Sequence, residues 1–189
     1  MKNTMKPKKK TESQARKRGV CCQCRGKYQR AMIWVHLKHC DCRMVDARFI
    51  HCHYDNAPSA FFLMLTSEAH PDFWVCLEAH VNATFADLEA QIVQLIAPGL
   101  SPEEDESRFL FSQEIAERNG WDRNDDSLDT TLEKVVRTGD RFYYYIGPEN
   151  PLLMTIQVVE EVGTSFLHRP IDVVAHFLAE QPQPAKTIM

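Results

Sequence analysis

The stretch CCQCRGKYQRAMIWVHLKHC, residues 21–40, is the part of the chain around which the rest is organised. Cys21 and Cys24 are separated by two residues, and His36 and Cys40 follow as a pair separated by three. This spacing is typical of a small tetrahedral zinc site, in which a tight turn supplies two thiolates and a helix supplies the other two ligands. On a helix, His36 and Cys40 lie one turn apart on the same face. We therefore predict that these four residues bind zinc.

Four protein ligands leave no open position on the metal for water or substrate. Catalytic zinc sites keep such a position, whereas structural sites are closed. The zinc is therefore expected to be a structural cofactor.

Other potential ligands lie close to the predicted set. Cys22, His39 and Cys42 are alternatives, but only the preferred set keeps both the Cys-x-x-Cys turn and the helical pair. Cys42 could also combine with His51, Cys52 and His53 in a second metal site. The alternation of residues 49–53 suits a strand equally well, so the sequence leaves this second site open.

Composition limits the class of protein. The chain has 189 residues and a hydrophobic fraction of 44%, enough for one medium domain plus a small module. It contains no apolar run of 18 or more residues and no signal-peptide pattern at its basic start. An odd number of cysteines, seven, without an export signal favours a reducing compartment over a disulfide framework. We therefore expect a cytoplasmic protein without a membrane span.

Charge is divided unevenly along the chain. Residues 1–52 hold 14 Lys and Arg against three acidic residues, a net charge of +11, and residues 53–189 carry the balance, a net charge of −15. A basic tail followed by a basic finger indicates an anionic partner, with nucleic acid or a ribonucleoprotein the first hypothesis. The acidic remainder would then recruit a protein.

The cationic side chains of the tail and finger are the expected phosphate contacts. They are Lys8, Lys9, Lys10, Arg16, Lys17, Arg18, Arg25, Lys27, Arg30 and Lys38. Two alternatives remain: a protein-interaction module that docks Trp34 and Val35 without binding nucleic acid, and an enzyme. The sequence offers no combination of base, nucleophile and oxyanion donor, so we predict a non-catalytic protein.

Beyond residue 59 the apolar pattern changes to period two. Residues 60–65 and 73–81 read as strands, and a capped amphipathic helix follows from Phe85, with Thr84 as its N-cap. Later segments predict a short strand at 108–111, a helical turn within 128–136 and a hairpin over 141–162. Residues 171–178 have helical spacing. The pattern favours an α+β fold, a mixed sheet with a packed helix in a β-grasp-like arrangement, preceded by the small zinc finger.

The expected organisation has five parts. A disordered basic tail covers residues 1–18, the finger 19–42, a linker or edge strand 43–58, the α+β domain 59–180 and a loose end 181–189.

Four stretches of the chain have a recognisable order and spacing: DFWVCLE at 72–78, ATFADL at 83–88, LDTTLEKVV at 128–136 and GDRFYYY at 139–145. They resemble the plasmid Ri ORF-three-like domain family, also described as insertion-element passenger or "resolvase-like" proteins. Some members carry an N-terminal zinc finger that ends in His-Leu-x-x-Cys, as residues 36–40 do here. The resemblance covers roughly residues 20–162 and implies a fold but no settled activity. Ile146-Gly147 stands where many members have Asp-Phe-Gly.

Overall fold

A computed structural model describes residues 18–44, 59–96, 107–120, 128–147, 152–163, 165, 167 and 169–177. The strands of these ranges are β1 (Arg18–Cys21), β2 (Lys27–Gln29), β3 (Ala60–Ser67), β4 (Trp74–His80), β5 (Ser107–Phe111), β6 (Arg141–Ile146), β7 (Leu152–Val162) and β8 (Ile171–Phe177). The helices are α1 (Arg30–Lys38), α2 (Phe85–Ile96), α3 (Gln113–Asn119) and α4 (Leu132–Val135). Residues 41–44 form one further helical turn.

These strands form one eight-stranded sheet in the order β2-β1-β8-β4-β3-β7-β6-β5. The α+β class is confirmed, but the prediction of a mixed sheet was wrong, because every described strand pair is antiparallel. Six residues separate β3 from β4 and five separate β6 from β7, which is too few for the crossover connection that parallel neighbours need. The β-grasp arrangement is not confirmed.

One face of the sheet carries the main core. Inward residues of the central strands, such as Leu63 and Leu77, pack with Leu88 and Ile92 of α2. This packing is what the alternating strands and the amphipathic helix predict.

The start of α2 is fixed by reciprocal hydrogen bonds between Thr84 and Asp87. The Asp87 amide donates to Thr84 Oγ1 over 3.1 Å, and the Thr84 amide donates to Asp87 Oδ2 over 2.8 Å. The predicted N-cap is thus confirmed as a capping box.

The opposite face of the sheet receives the finger. Ile33 and Leu37 of α1 are fully buried there in a second core with Phe62, Trp74 and Cys76. The hairpin of β1 and β2 joins the same sheet, since β1 pairs with β8 through Val20 and Cys21. The finger is therefore built into the sheet by both hydrogen bonds and apolar packing.

The last strand corrects a prediction. Residues 171–178 were expected to be helical, but Ile171–Phe177 form β8 between β1 and β4. Ile171, Val174 and Ala175 do have helical spacing, yet this segment satisfies the backbone groups of two neighbouring strands. Tertiary pairing and the β-branched pair Val173-Val174 outweigh a short periodic signal.

Two smaller differences concern element boundaries. Arg18, assigned to a disordered tail, begins β1 and pairs with Gln29. Helix α3 was not predicted, although Ser112 caps it by accepting from the Ile115 amide and Gly120 ends it at a φ of 65°. The predicted 141–162 hairpin is confirmed as β6 and β7.

Candidate metal centre

The predicted ligands converge at one point. The ligand atoms of Cys21, Cys24, His36 and Cys40 all lie within 4.8 Å of one another. In a tetrahedral zinc site with Zn–S bonds of about 2.3 Å, ligand atoms are separated by about 3.7 Å. The cluster therefore has the dimensions of a metal site, and these four residues could hold an ion.

The first two ligands come from a tight turn after β1. The Cys21 amide donates to the carbonyl of Gly26 over 2.9 Å, and the Arg25 amide donates to the carbonyl of Cys21 over 3.0 Å. Arg25 takes the left-handed conformation, with a φ of 61°. The Gly26 amide donates to Cys24 Sγ over 3.4 Å. This turn aims both sulfurs at one side, as the Cys-x-x-Cys spacing predicts.

A neighbouring aromatic ring orients the histidine. The rings of Tyr28 and His36 are stacked, with centroids 3.7 Å apart and planes 15° from parallel. His36 Nε2 lies 3.3 Å from Cys24 Sγ, so Nε2 is the ring nitrogen that faces this thiol. A side chain at Gly26 would meet the same tyrosine, because an added Cβ would lie 2.7 Å from the Tyr28 ring. The lack of a side chain at Gly26 therefore leaves room for the Tyr28 ring, which in turn stacks on His36.

The surroundings shift the pKa values of the two thiols in the turn, Cys21 and Cys24, in opposite directions. Burial raises the pKa of the Cys21 thiol to about 11. Burial also opposes ionisation of Cys24, but hydrogen bonds led by that of the Gly26 amide lower the net pKa of this thiol. Burial lowers the pKa of His36, which favours the neutral imidazole that a metal requires. A bound cation would be needed to ionise Cys21 at neutral pH.

The last predicted ligand, Cys40, is followed closely in the chain by a residue that is buried against the central sheet. Cys40 is 1% exposed, and three residues later Arg43 forms an ion pair with Glu78 of β4. The guanidinium also lies over the ring of Phe62, 5.0 Å from its centroid. The sequence did not predict this buried attachment, because residue 43 was expected to lie in a linker or edge strand.

The alternative ligands Cys22, His39 and Cys42 are not members of the cluster. Within the ranges that the structure describes, the four predicted residues are the one group placed to hold a metal. Cys22 follows Cys21 directly in the chain, and its amide donates to Val174 on β8. His51, Cys52 and His53, the other members of the second site that the sequence left open, lie outside the described residues.

The predicted phosphate-binding residues fall into two groups. Lys8, Lys9, Lys10, Arg16 and Lys17 lie outside the described residues. Arg18, Arg25, Lys27 and Arg30 are exposed. Lys38 is instead engaged with the body: its Nζ lies 2.6 Å from a Glu160 carboxylate oxygen and 5.3 Å from the centroid of the Trp34 ring.

The described helices include none that is both long and apolar enough to cross a membrane. No known family and no curated protein matches the chain. Among solved structures, a protein of unknown function from Methanosarcina mazei Go1 is similar, with a TM-score of 0.46 and 13% sequence identity. The match covers 57% of this chain and 63% of that protein, so it spans less than two thirds of the neighbour's length.

Proposed function

We propose that this chain is a non-catalytic zinc protein whose metal holds a basic finger against the sheet, and that this finger contacts nucleic acid or a ribonucleoprotein. The observation that carries the proposal is the convergence of Cys21, Cys24, His36 and Cys40 within 4.8 Å. Three thiols and an imidazole suit zinc better than calcium or magnesium, which prefer oxygen ligands.

A structural role for zinc follows from the small size of the finger. Strands β1 and β2 have four and three residues, and α1 has nine residues and no side-chain cap at its start. An isolated hairpin or helix of this length is at best marginally stable in water. A metal that joins the turn, α1 and Cys40 would supply folding free energy that these elements lack.

Nucleic-acid contact is supported by charge. Arg18, Arg25, Lys27 and Arg30 are exposed within a segment whose net charge is strongly positive. Contacts of this kind give affinity through phosphate neutralisation and do not by themselves read base sequence. The acidic part of the chain, residues 53–189, remains the proposed surface for a protein partner.

Membership of the plasmid Ri ORF-three-like family is part of the same proposal. It is supported by the four sequence stretches between residues 72 and 145 and by the His-Leu-x-x-Cys pattern of the finger.

Metal analysis of protein purified without a metal-affinity tag tests the first half of the proposal. We expect one zinc per chain and its loss in Cys24→Ser and Cys40→Ser, whereas Cys76→Ser should keep the metal because Cys76 lies within the second core. Zinc that persists in both ligand variants would contradict the assigned site.

Salt-dependent nucleic-acid titration tests the second half. Affinity should fall steeply with added salt, and Lys27→Gln should reduce the slope of log affinity against log salt by about 0.7 to 0.9. A wild-type protein that binds neither single-stranded nor duplex nucleic acid at moderate salt would support the protein-interaction alternative.

A further inference from the structure

A groove of about 750 Å³ lies between the finger helix and the sheet. Arg30, Ala31 and Trp34 of α1 form one wall. The floor is made by side chains of β3, β6 and β7 on the face opposite α2, among them Tyr143 and Gln157. The groove exists because α1 packs over Phe62 and Trp74 and leaves the β6 and β7 part of the face open.

The groove combines aromatic rings with two arginines that form no ion pair with a carboxylate in the described part of the chain. Tyr143 is 37% exposed, and Trp34 is half-buried on the facing wall. Arg30 and Arg141 both line the groove, and neither forms an ion pair with a described carboxylate. Glu68 is the single acidic residue among the described lining residues, so the described lining has a net positive charge. The sign of this local charge is opposite to that of the net charge of residues 53–189.

Register places these groups in two adjacent rows across the sheet. Tyr143 pairs with Thr155, which pairs with Thr66 on β3. Arg141 pairs with Gln157 in the next row on the same face, and its guanidinium lies 3.5 Å from the Gln157 side-chain oxygen. Hydroxyl and amide groups thus lie beside an aromatic ring and a cation, which is the combination that recognises an unstacked base and its phosphate.

The open face continues past the groove towards β5. Arg108 pairs with Tyr145, and its guanidinium lies 5.3 Å from the centroid of that ring. Leu110 pairs with Tyr143 and is similarly exposed. A chain that enters the groove could therefore continue over a second aromatic and cationic pair.

We infer that this groove and the adjoining open face bind a single-stranded nucleic acid, with Tyr143 stacking on a base and Arg30 and Arg141 contacting phosphates. The inference rests on the proposed function and assigns its binding surface. A duplex keeps its bases stacked inside, so it cannot use an aromatic floor, whereas a single strand can turn its bases onto it.

The test is fluorescence anisotropy with the full chain and labelled oligouridylate, oligothymidylate and duplex probes of about twelve nucleotides, within the usual range of single-strand sites. The two single strands show whether the chain prefers RNA or DNA. Tyr143→Ala removes the stacking ring, and Tyr143→Phe is its matched control because it keeps the ring. Arg141→Gln removes one cation of the groove. Lys27→Gln removes a cation of the finger outside the groove.

The expected result has three parts. Wild type binds a single strand more tightly than the duplex, and Tyr143→Ala weakens single-strand binding by at least about fivefold while Tyr143→Phe does not. Arg141→Gln weakens binding and lowers the salt slope by about 0.7. Circular dichroism should show that each variant is folded, since Tyr143 and Arg141 are exposed surface residues.

Failure of the groove can be told from failure of the proposed function. If wild type binds and Lys27→Gln weakens binding, but Tyr143→Ala and Arg141→Gln bind as wild type, the groove assignment is overturned and the finger remains. A wild-type chain that binds no probe overturns both. Equal affinity for duplex and single strand, unaffected by Tyr143→Ala, also overturns the groove.

Discussion

Arg43 and Glu78 form an ion pair that is almost completely removed from solvent. Arg43 Nη2 lies 3.0 Å from Glu78 Oε2, and the side chains are 5% and 0% exposed. Ser165 Oγ donates to the other Glu78 carboxylate oxygen over 3.1 Å. Since Arg43 follows Cys40 by three residues and Glu78 lies within β4, the pair ties the candidate metal centre to the middle of the sheet.

Breaking this pair should be costly. Arg43→Leu leaves the Glu78 carboxylate buried without its cation, and we expect the free energy of unfolding to fall by about 3 kcal/mol or more. Urea unfolding in excess zinc measures the change through the transition midpoint.

The exposed pair Arg169 and Asp172 provides the control. Its nitrogen and oxygen are 2.9 Å apart, but the arginine side chain is 60% exposed. Arg169→Leu should cost less than about 1 kcal/mol. An Arg43→Leu variant as stable as Arg169→Leu would show that Glu78 does not depend on its partner.

The junction between finger and body leaves no room at Gly19. An added Cβ there would lie 2.2 Å from the Trp74 ring and 2.6 Å from the backbone oxygen of His176. Gly19→Ala should therefore separate β1 from β8 and expose Trp74, giving lower stability and a red shift in tryptophan fluorescence.

Gly163→Ala is the matched substitution for Gly19→Ala. No atom of the described residues lies within 4 Å of an added Cβ at Gly163, so stability should stay within about 0.5 kcal/mol of wild type. If Gly19→Ala unfolded at the same urea concentration as Gly163→Ala, the close approach of β1 to Trp74 would be contradicted.

Metal removal should loosen the finger before it unfolds the rest of the sheet. Chelation should increase amide hydrogen exchange in β1, β2 and α1, because these short elements depend on the metal, whereas β3 and β7 are paired on both sides in the centre of the sheet. Mass spectrometry of exchanged peptides measures this. Cys24→Ser should reproduce the pattern without chelator, and uniform exchange throughout the chain would contradict a local role.

The cluster that could hold a metal was predictable from the sequence because its information is local. The turn around Cys24 and the helix carrying His36 are each specified by neighbouring residues, and the ligand spacing joins them. The β6 and β7 hairpin and the capping box at Thr84 were predictable for the same reason. Helix α3 carried comparable signals in Ser112 and Gly120.

Long-range arrangement could not be read in this way. Residues 171–177 form a strand because β1 and β4 lie on either side, and these neighbours are distant in sequence. The alternation of residues along β6 predicts that Tyr143 and Tyr144 lie on opposite faces of the sheet. It does not predict that α1 leaves Tyr143 uncovered. The groove and the Arg43–Glu78 pair both depend on where the finger docks.

His80 should make stability depend on pH. Burial lowers its pKa, partly opposed by the charge of Glu78 and a hydrogen bond with the Leu167 backbone. The folded state therefore holds a neutral ring that the unfolded state protonates near pH 6.5. Above this pH both states bind no proton there. As pH falls through it, the unfolded state binds more protons, and the free energy of unfolding decreases.

The expected measurement is a urea midpoint that falls between about pH 7 and pH 5.5, with a shallower fall in His80→Gln. Any acid-induced loss of zinc affects both proteins, so the difference between their slopes isolates His80. His70→Gln, in the turn between β3 and β4, is the matched loss of one histidine. An unchanged slope in His80→Gln, or equal flattening in His70→Gln, would remove His80 as the cause.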